Sequence, residues 1–212
     1  MDLKGKKVLV FGAGKSGIGA ADLLGSVGAQ PVIYDGNENL DKEAVLHKTN
    51  GTYTPEIWAG AFPEGEMESL DLVVLSPGVP TDLPLVKSFY EKGLPVWSEV
   101  ELAYRTGKGE VLAITGTNGK TTTTALLGKI MGDARESVFV VGNIGTAYTS
   151  KSLEMREDSV TVAEISSFQL ETIEQFRPKV SAILNITEDH LNRHHTMEEY
   201  IRVKELITKN QG

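Results

Sequence analysis

Along this chain, short unbroken apolar runs alternate with stretches in which apolar residues recur every three or four positions. Val8-Leu9-Val10-Phe11 follows the charged lead Lys6-Lys7 and breaks at Gly12. Pro31–Asp35, Asp71–Ser76 and Pro95–Ser98 are runs of the same kind. Continuous apolar runs of this length predict strands buried on both faces, as in parallel sheets. Between the first two, Ile18, Ala21, Leu24 and Val27 keep helical spacing, and Gly28 marks a stop. Leu85, Phe89 and Tyr90 suit a second helix. Strand alternating with helix predicts an α/β fold, here a Rossmann-like, doubly wound parallel sheet with right-handed crossovers. Ligands of such sheets bind beyond the strand C-ends, so the turns after Phe11, Tyr34 and Leu75 are expected to line one crevice.

The pattern restarts around Thr106–Glu110. Val111–Thr115 predicts a fresh strand, and Ala125, Leu126, Leu127, Ile130 and Met131 are expected to form the buried side of the helix after it. Val160–Ser167 and Val180–Ile186 predict two further strands. We therefore expect one domain over residues 1–100 and a second α/β domain over 101–212, divided between about Ser98 and Glu110. No internal repeat and no low-complexity tract interrupts them.

Composition narrows the class. Among 212 residues, 40% are apolar, enough to build cores. Lys and Arg number 21 against 29 Asp and Glu, a net charge of −8, which argues against general nucleic-acid binding. Cysteine is absent, which excludes disulfides, thiol catalysis and thiolate metal sites. No run approaches the ~18 apolar residues of a membrane span, and Met1–Lys7 lacks the apolar stretch of a signal peptide. A cytoplasmic protein without membrane insertion is expected.

The 22 glycines cluster informatively. Gly12-x-Gly14-x-x-Gly17 follows a predicted strand and opens a predicted helix, and Asp35 lies 18 residues (35 − 17) beyond Gly17. This is the dinucleotide-binding fingerprint in its expected setting. Its glycines let the backbone approach a diphosphate, and a helix N-terminus supplies amides and positive dipole. NAD or FAD, another diphosphate, or a tight turn without a ligand are all compatible with it. The second loop is Thr115-Gly116-Thr117-Asn118-Gly119-Lys120-Thr121-Thr122. Gly-Lys-Thr between strand and helix is the working end of a P-loop: amides cradle phosphates, Lys120 reaches the terminal ones, and the Thr121 hydroxyl can hold Mg²⁺. Ile114 stands where the standard pattern has its first glycine, so this is a variant loop.

Three residues further along are placed to meet it. Glu164 near one strand end and His190 after another should open on the same edge as the P-loop, able to reach a Mg²⁺–phosphate cluster; either could also be an ordinary solvated side chain. Thr196-Met-Glu-Glu199 reads as a capping box. On the helix it starts, at 100° per residue, Met197, Tyr200, Ile201 and Ile207 all fall within about 60° of Lys204. A lysine centred on an apolar face either snorkels outward or is held for a purpose. Burial would favour its neutral amine, which can combine with CO₂ to give an anionic carbamate able to ligate Mg²⁺.

Taken together, these motifs resemble the Mur ligases, the ATP-dependent amide ligases of peptidoglycan precursor synthesis. Gly116–Thr122 resembles the family's ATP loop. Glu188-Asp-His-Leu191 and Tyr200-Ile-Arg-Val-Lys204 resemble its magnesium-histidine and carbamylated-lysine segments. Glu164-Ile-Ser-Ser-Phe-Gln-Leu-Glu171 and Gly142-Asn-Ile-Gly145 are similar to segments of its D-glutamate-adding member. The likeness runs from Gly12 to Lys204. Asn192 departs from a common Asp, and Ala147 from a common Pro, neither being a metal or phosphate ligand.

The resemblance implies that ATP phosphorylates the alanyl carboxylate of UDP-N-acetylmuramoyl-L-alanine, and that the D-glutamate amine then displaces phosphate. Gly116, Thr117, Asn118, Gly119, Lys120, Thr121 and Thr122 would bind ATP. Thr121 and Glu164 would hold one Mg²⁺, and His190 with carbamylated Lys204 a second. Asn143, Ser166 and Gln169 would orient the muramoyl-alanine end. Gly14, Lys15, Ser16 and Gly17 would carry the UDP diphosphate, with Asp35 and Gly36 near the uridine and Ser76, Pro77 and Gly78 bordering the crevice. Lys120, His190, Lys204, Asn143 and Ser166 form the expected catalytic set. Another ligase of the superfamily, or an NAD-binding protein, is the alternative; Ser166–Glu171 disfavours the former. The family plan has three domains and roughly twice this length, so the chain is expected to hold the first domain and part of the central one, to lack the D-glutamate domain, and to be inactive alone. A monomer is expected.

Overall fold

The structure, a computed structural model, describes residues 2–211. It divides into two compact units, Met1–Leu102 and Ala103–Gly212.

The first unit runs β1 (Lys7–Phe11), α1 (Lys15–Ser26), β2 (Gln30–Asp35), α2 (Lys42–Leu46), β3 (Glu56–Ala59), β4 (Leu72–Leu75), α3 (Pro84–Glu91), β5 (Val96–Ser98) and into α4 (Glu99–Thr106). All five strands pair in parallel in the order β3-β2-β1-β4-β5. Each face of this sheet has its own core. Val8, Val10, Ile33, Leu72, Val74 and Trp97 pack under α1 on one side. Leu9, Phe11, Val32, Tyr34, Val73, Leu75 and Phe89 fill the other. That two-sided burial is why the strands read as continuous apolar runs. The chain leaves β1 in one direction for β2 and later returns to its other side for β4. The crevice of this switch point lies above the C-ends of β1 and β4.

Two elements escape the sequence pattern. β3 is a four-residue edge strand, Glu-Ile-Trp-Ala, with no long apolar run to announce it. α2 is a single capped turn, with the Asp41 carboxylate accepting from the Ala44 amide. The stretch expected to hold the boundary carries α4, and the two units divide within it, between Leu102 and Ala103.

The second unit contains β6 (Glu110–Thr115), α5 (Lys120–Ala134), β7 (Val138–Gly142), β8 (Val160–Glu164), α6 (Ser167–Leu170), β9 (Val180–Ile183), α7 (Leu191–His194) and α8 (Met197–Glu205). Its strands are again parallel, in the order β7-β8-β6-β9. One expectation is overturned here. In α5 the buried positions are Thr124 and Gly128; Leu127 and Met131 are only partly covered, and Ala125, Leu126 and Ile130 are exposed, Leu126 at 60%. The reason is steric. A Cβ on Gly128 would come within 2.3 Å of Val140, so the helix lies on its smallest residues. Leu126, Leu127 and Ile130 instead line a groove of about 240 Å³ with Leu112, Val180 and Ala182. Among the described residues, no helix is long and apolar enough to cross a membrane.

Candidate active site

The first loop is shaped by steric need. A Cβ on Gly17 would lie 1.8 Å from the Gly12 carbonyl oxygen, so only glycine lets α1 approach β1 this closely. Gly14, by contrast, is exposed, with nothing within 4 Å of an added Cβ. It is the N-cap of α1 and has no side-chain cap, which leaves the helix N-terminus open to an anion. Lys15 is exposed and Ser16 half-buried at the same end. The turns after β1, β2 and β4 meet through side-chain bonds. The Ser76 hydroxyl donates to the Gly12 carbonyl at 3.3 Å, and Pro77 and Gly78 follow it at the surface. The Asp35 carboxylate accepts from the Ala13 amide and the Asn37 amide, both at 3.0 Å. Asp35 thus ties the loop after β1 to the turn after β2, where Gly36 is exposed, while each oxygen keeps a lone pair for a ligand donor.

The second loop gathers side chains from most of its unit. Gly119, at φ 81°, makes the left-handed turn that launches α5 and provides no side-chain cap. The Lys120 ammonium folds back to donate to the carbonyls of Gly116, at 3.0 Å, and Thr117, at 2.9 Å. Register sets Glu164 beside Ile114, at the mouth of the loop. There its carboxylate, 1% exposed, accepts from the Thr121 hydroxyl at 2.9 Å and the Asn143 amide at 3.0 Å. Thr122 is exposed on the first turn of α5.

Lys204 does not snorkel. It is 2% exposed on α8 and donates to the same Gly116 carbonyl at 2.9 Å. Its ammonium also lies 4.6 Å from the centre of the Tyr200 ring. Burial first, and the Lys120 charge second, lower its pKa to about 8. Ile201, on the edge of that face, is exposed, whereas Tyr200, Val203 and Ile207 are buried. His190 sits in the left-handed region at φ 52° as the N-cap of α7, half exposed, with its ring 5.0 Å from Phe168 and 6.5 Å from Tyr200.

Two caps exchange their expected forms. Thr196 accepts from the Glu199 amide, but the Glu199 carboxylate pairs with Arg202 rather than closing a box. The reciprocal capping box instead joins Ser166 and Gln169 at α6: Ser166 Oγ accepts from the Gln169 amide, and Gln169 Oε1 from the Ser166 amide. These two residues, expected to orient a substrate, first of all build the turn that starts α6.

Sequence reasoning missed three contributors. Asn185, just past β9, clamps the P-loop: its Oδ1 accepts from the Asn118 amide, its Nδ2 donates to the Asn118 carbonyl, and its own carbonyl accepts from the Thr117 amide. The hydroxyls of Tyr200 and Thr117 lie 3.2 Å apart. His194 is 2% exposed, with Nε2 2.9 Å from the Ser167 hydroxyl. Burial, then the charge of Arg193, lower its pKa to about 4, so it is neutral. Only Asn185, at a strand C-end, carried a readable signal, being a polar residue on the binding edge.

The donor set suits magnesium. Among the described residues no group of three His, Cys, Asp or Glu side chains could hold a metal ion. A hydroxyl and a carboxylate do meet at the P-loop, however, and hard oxygen ligands of this type, completed by phosphate oxygens, are what Mg²⁺ takes.

A Rossmann-like unit whose glycine loop opens an uncapped helix, and a second parallel-sheet unit whose Gly-Lys-Thr loop has a carboxylate and two lysines around it, define the α/β class of this chain. A family model described as "Mur ligase MurD-like, N-terminal domain" matches residues 6–98, and one described as "Mur ligase middle domain" matches residues 114–212. The chain belongs to the Mur ligase family. Over its full length it is 60% identical to UDP-N-acetylmuramoylalanine--D-glutamate ligase of Lachnospira eligens and 47% identical to the protein of that name in Clostridioides difficile, covering 47% of each. The chain therefore spans about half the length of the curated relatives it matches. Among solved structures, UDP-N-acetylmuramate-alanine ligase MurC from Thermotoga maritima superposes with a TM-score of 0.51 at 25% identity, over 97% of this chain and 47% of that one. The UDP-N-acetylmuramate:L-alanyl-gamma-D-glutamyl-meso-diaminopimelate ligase (MPL) from Neisseria meningitides, at 16% identity, shares the fold with a TM-score of 0.57, over 97% of this chain and 68% of that one.

Proposed function

We propose that this chain supplies the sugar-nucleotide-binding and ATP-binding parts of an ATP-dependent ligase that adds D-glutamate to UDP-N-acetylmuramoyl-L-alanine. In the reaction, a γ-phosphoryl group activates the alanyl carboxylate as an acyl phosphate, and the D-glutamate amine displaces phosphate. The observation that carries this reading is the convergence of Lys120, Lys204 and the Thr121–Glu164 pair on one phosphate loop. A carboxylate attacking a phosphate brings two anions together, so catalysis rests on positioning and cationic neutralisation.

Placement supports the following roles. Lys120 leaves its loop carbonyls to neutralise the β- and γ-phosphates. The amides at the start of α5 cradle the phosphate chain. Thr121 and Glu164 would hold Mg²⁺, which would neutralise phosphate charge. Lys204, buried and with its pKa lowered to about 8, would lose its proton more readily than an ordinary lysine; its neutral amine would then form the N–C bond of a carbamate with CO₂ and release one proton. The resulting anion, with His190, would hold a second Mg²⁺. Asn143 and the α6 turn of Ser166 and Gln169 face the substrate's alanyl end. The loop at Gly14–Gly17 takes the UDP diphosphate, with Asp35 and Gly36 near the uridine and Ser76–Gly78 bordering the same crevice. The protein acts as a monomer in the cytoplasm.

The test is D-glutamate-dependent ADP release by the full-length protein supplied with UDP-N-acetylmuramoyl-L-alanine, ATP and Mg²⁺. Turnover that requires all of them is expected; release indifferent to D-glutamate overturns the reading. Calorimetry of the 212-residue chain with the sugar nucleotide should give heat, whereas heat from NADH and none from the sugar nucleotide would favour a dinucleotide instead.

A further inference from the structure

Behind the candidate site lies a buried polar cluster that the proposed chemistry does not use. The His194 ring, on α7, is 2% exposed. Its Nε2 lies 2.9 Å from the hydroxyl of Ser167, the first residue of α6 and itself 2% exposed. Its Nδ1 faces a carboxylate oxygen of Glu171, just past α6, at 3.6 Å. With the proton on Nδ1, Nε2 accepts from the Ser167 hydroxyl. The other Glu171 oxygen accepts from Arg193, the residue before His194, at 2.6 Å in a pair that is nearly dry. Phe168 completes the contact. Its ring stacks on His194 at 5.3 Å, lies under the Arg193 guanidinium at 5.0 Å, and is 5.0 Å from the His190 ring.

The sequence neighbours of this cluster give it consequence. Ser167 lies between Ser166 and Gln169, and His194 lies four residues after His190. α7 is held between two residues with positive φ, His190 at 52° and His195 at 68°. Such conformations are costly for a non-glycine residue and persist only where the surroundings over-determine them. We propose that His194 is a positioning residue: through Ser167 it holds the α6 turn that carries Ser166 and Gln169 in register with the α7–α8 segment that carries His190 and Lys204. The inference rests on the ligase reading, because there α6 faces the carboxylate and α7–α8 the phosphate that must meet it. Misregistration then falls on kcat more than on KM, since each substrate still finds its own half-site.

Three variants of the full-length protein separate the bond from the ring. H194F keeps the stack and loses the acceptor. H194Q keeps a polar group near the Nε2 position. S167A removes the hydroxyl from the other side. H194F and S167A are expected to lower kcat by about tenfold to a hundredfold, with KM for ATP and sugar nucleotide changed by less than about threefold. H194Q should recover most of the loss, and H194F/S167A should be no worse than H194F alone. Full activity in H194F, or H194Q as impaired as H194F at equal thermal stability, overturns the proposal. A second measurement is independent of activity. In the 212-residue chain, H194F should speed hydrogen exchange in residues 166–171 and 190–195 together while residues 116–122 keep their rates. Unchanged exchange in 166–171 overturns the proposal. The expected exchange change, alongside a parent protein with no D-glutamate-dependent turnover, supports the coupling while overturning the ligase reading.

Discussion

The two glycine loops share one local plan and differ in everything around it. Both follow a strand in the middle of a parallel sheet, and both open a helix whose first residue lacks a side-chain cap. The loop at Gly12–Gly17 is defined by close backbone approach, and its nearest polar partners, Asp35 and Ser76, bond to its backbone. The loop at Gly116–Thr122 instead folds its own Lys120 back and draws in Glu164 from β8, Asn185 from beyond β9, and Tyr200 and Lys204 from α8. Shape without concentrated charge suits holding a diphosphate. Shape with two ammonium groups and a carboxylate suits moving a phosphoryl group.

The largest expected effect breaks the comparison most directly. Lys120→Ala in the full-length protein should lower kcat by about 10³-fold, read as D-glutamate-dependent ADP release. Lys15→Ala in the first loop should raise KM for the sugar nucleotide by about tenfold and leave kcat near the parental value. If both changes struck kcat alike, the division into a holding loop and a reacting loop would fall.

Next in size is a stability contrast within the first loop. Gly17→Ala forces a Cβ against the Gly12 carbonyl and should cost about 3 kcal/mol or more by urea denaturation. Gly14→Ala meets open space and should cost less than about 1 kcal/mol. Equal costs would mean that steric approach does not define this loop.

A smaller effect belongs to the second unit alone, since among the described residues Lys204 is the one buried lysine. Its folded pKa, about 8, lies below the ordinary 10.5, so the folded state binds the proton more weakly than the unfolded chain. The penalty is fully present below pH 8 and is relieved as pH rises toward 10.5. Stability should therefore climb over that window by on the order of 2 kcal/mol. Denaturation midpoints at pH 7.5 and 9.5 would reveal the climb, and Lys204→Met should flatten it. A slope that survives in the variant would assign it to other groups.

The smallest expected change sharpens where the second site ends. Asn192 is exposed on α7, between His190 and His194. Asn192→Asp should alter kcat and KM by less than about twofold; a larger change would draw Asn192 into the site.

Legibility differed between the two loops for the same reason that their surroundings do. Gly12, Gly14, Gly17 and Asp35 lie within one strand-helix-strand unit, so spacing alone brought them together, and the parallel register then set Ser76 beside them. β3 was not legible, because four residues at a sheet edge need no apolar run. In α5, periodicity pointed to Leu126 and Ile130 as buried, but contact with Val140 selected Gly128 and turned both outward. Ser166-x-x-Gln169 closes a reciprocal capping box, and Thr196-x-x-Glu199, with the same spacing, closes only half of one. The difference is that Glu199 finds Arg202 one turn further along its helix.

The sequence by itself determined the alternation of strand and helix, the two phosphate loops, and the placing of an apolar face around Lys204. Each follows from interactions between residues a few positions apart, which spacing encodes. Only the tertiary structure decided that Lys204 is buried rather than snorkelled, that it shares the Gly116 carbonyl with Lys120, and that His194 joins Ser167 and Glu171 beneath the site. The bond from Lys204 to Gly116 spans 88 residues. Partners so far apart are matched by the packing of a whole unit, and no local periodicity records the match.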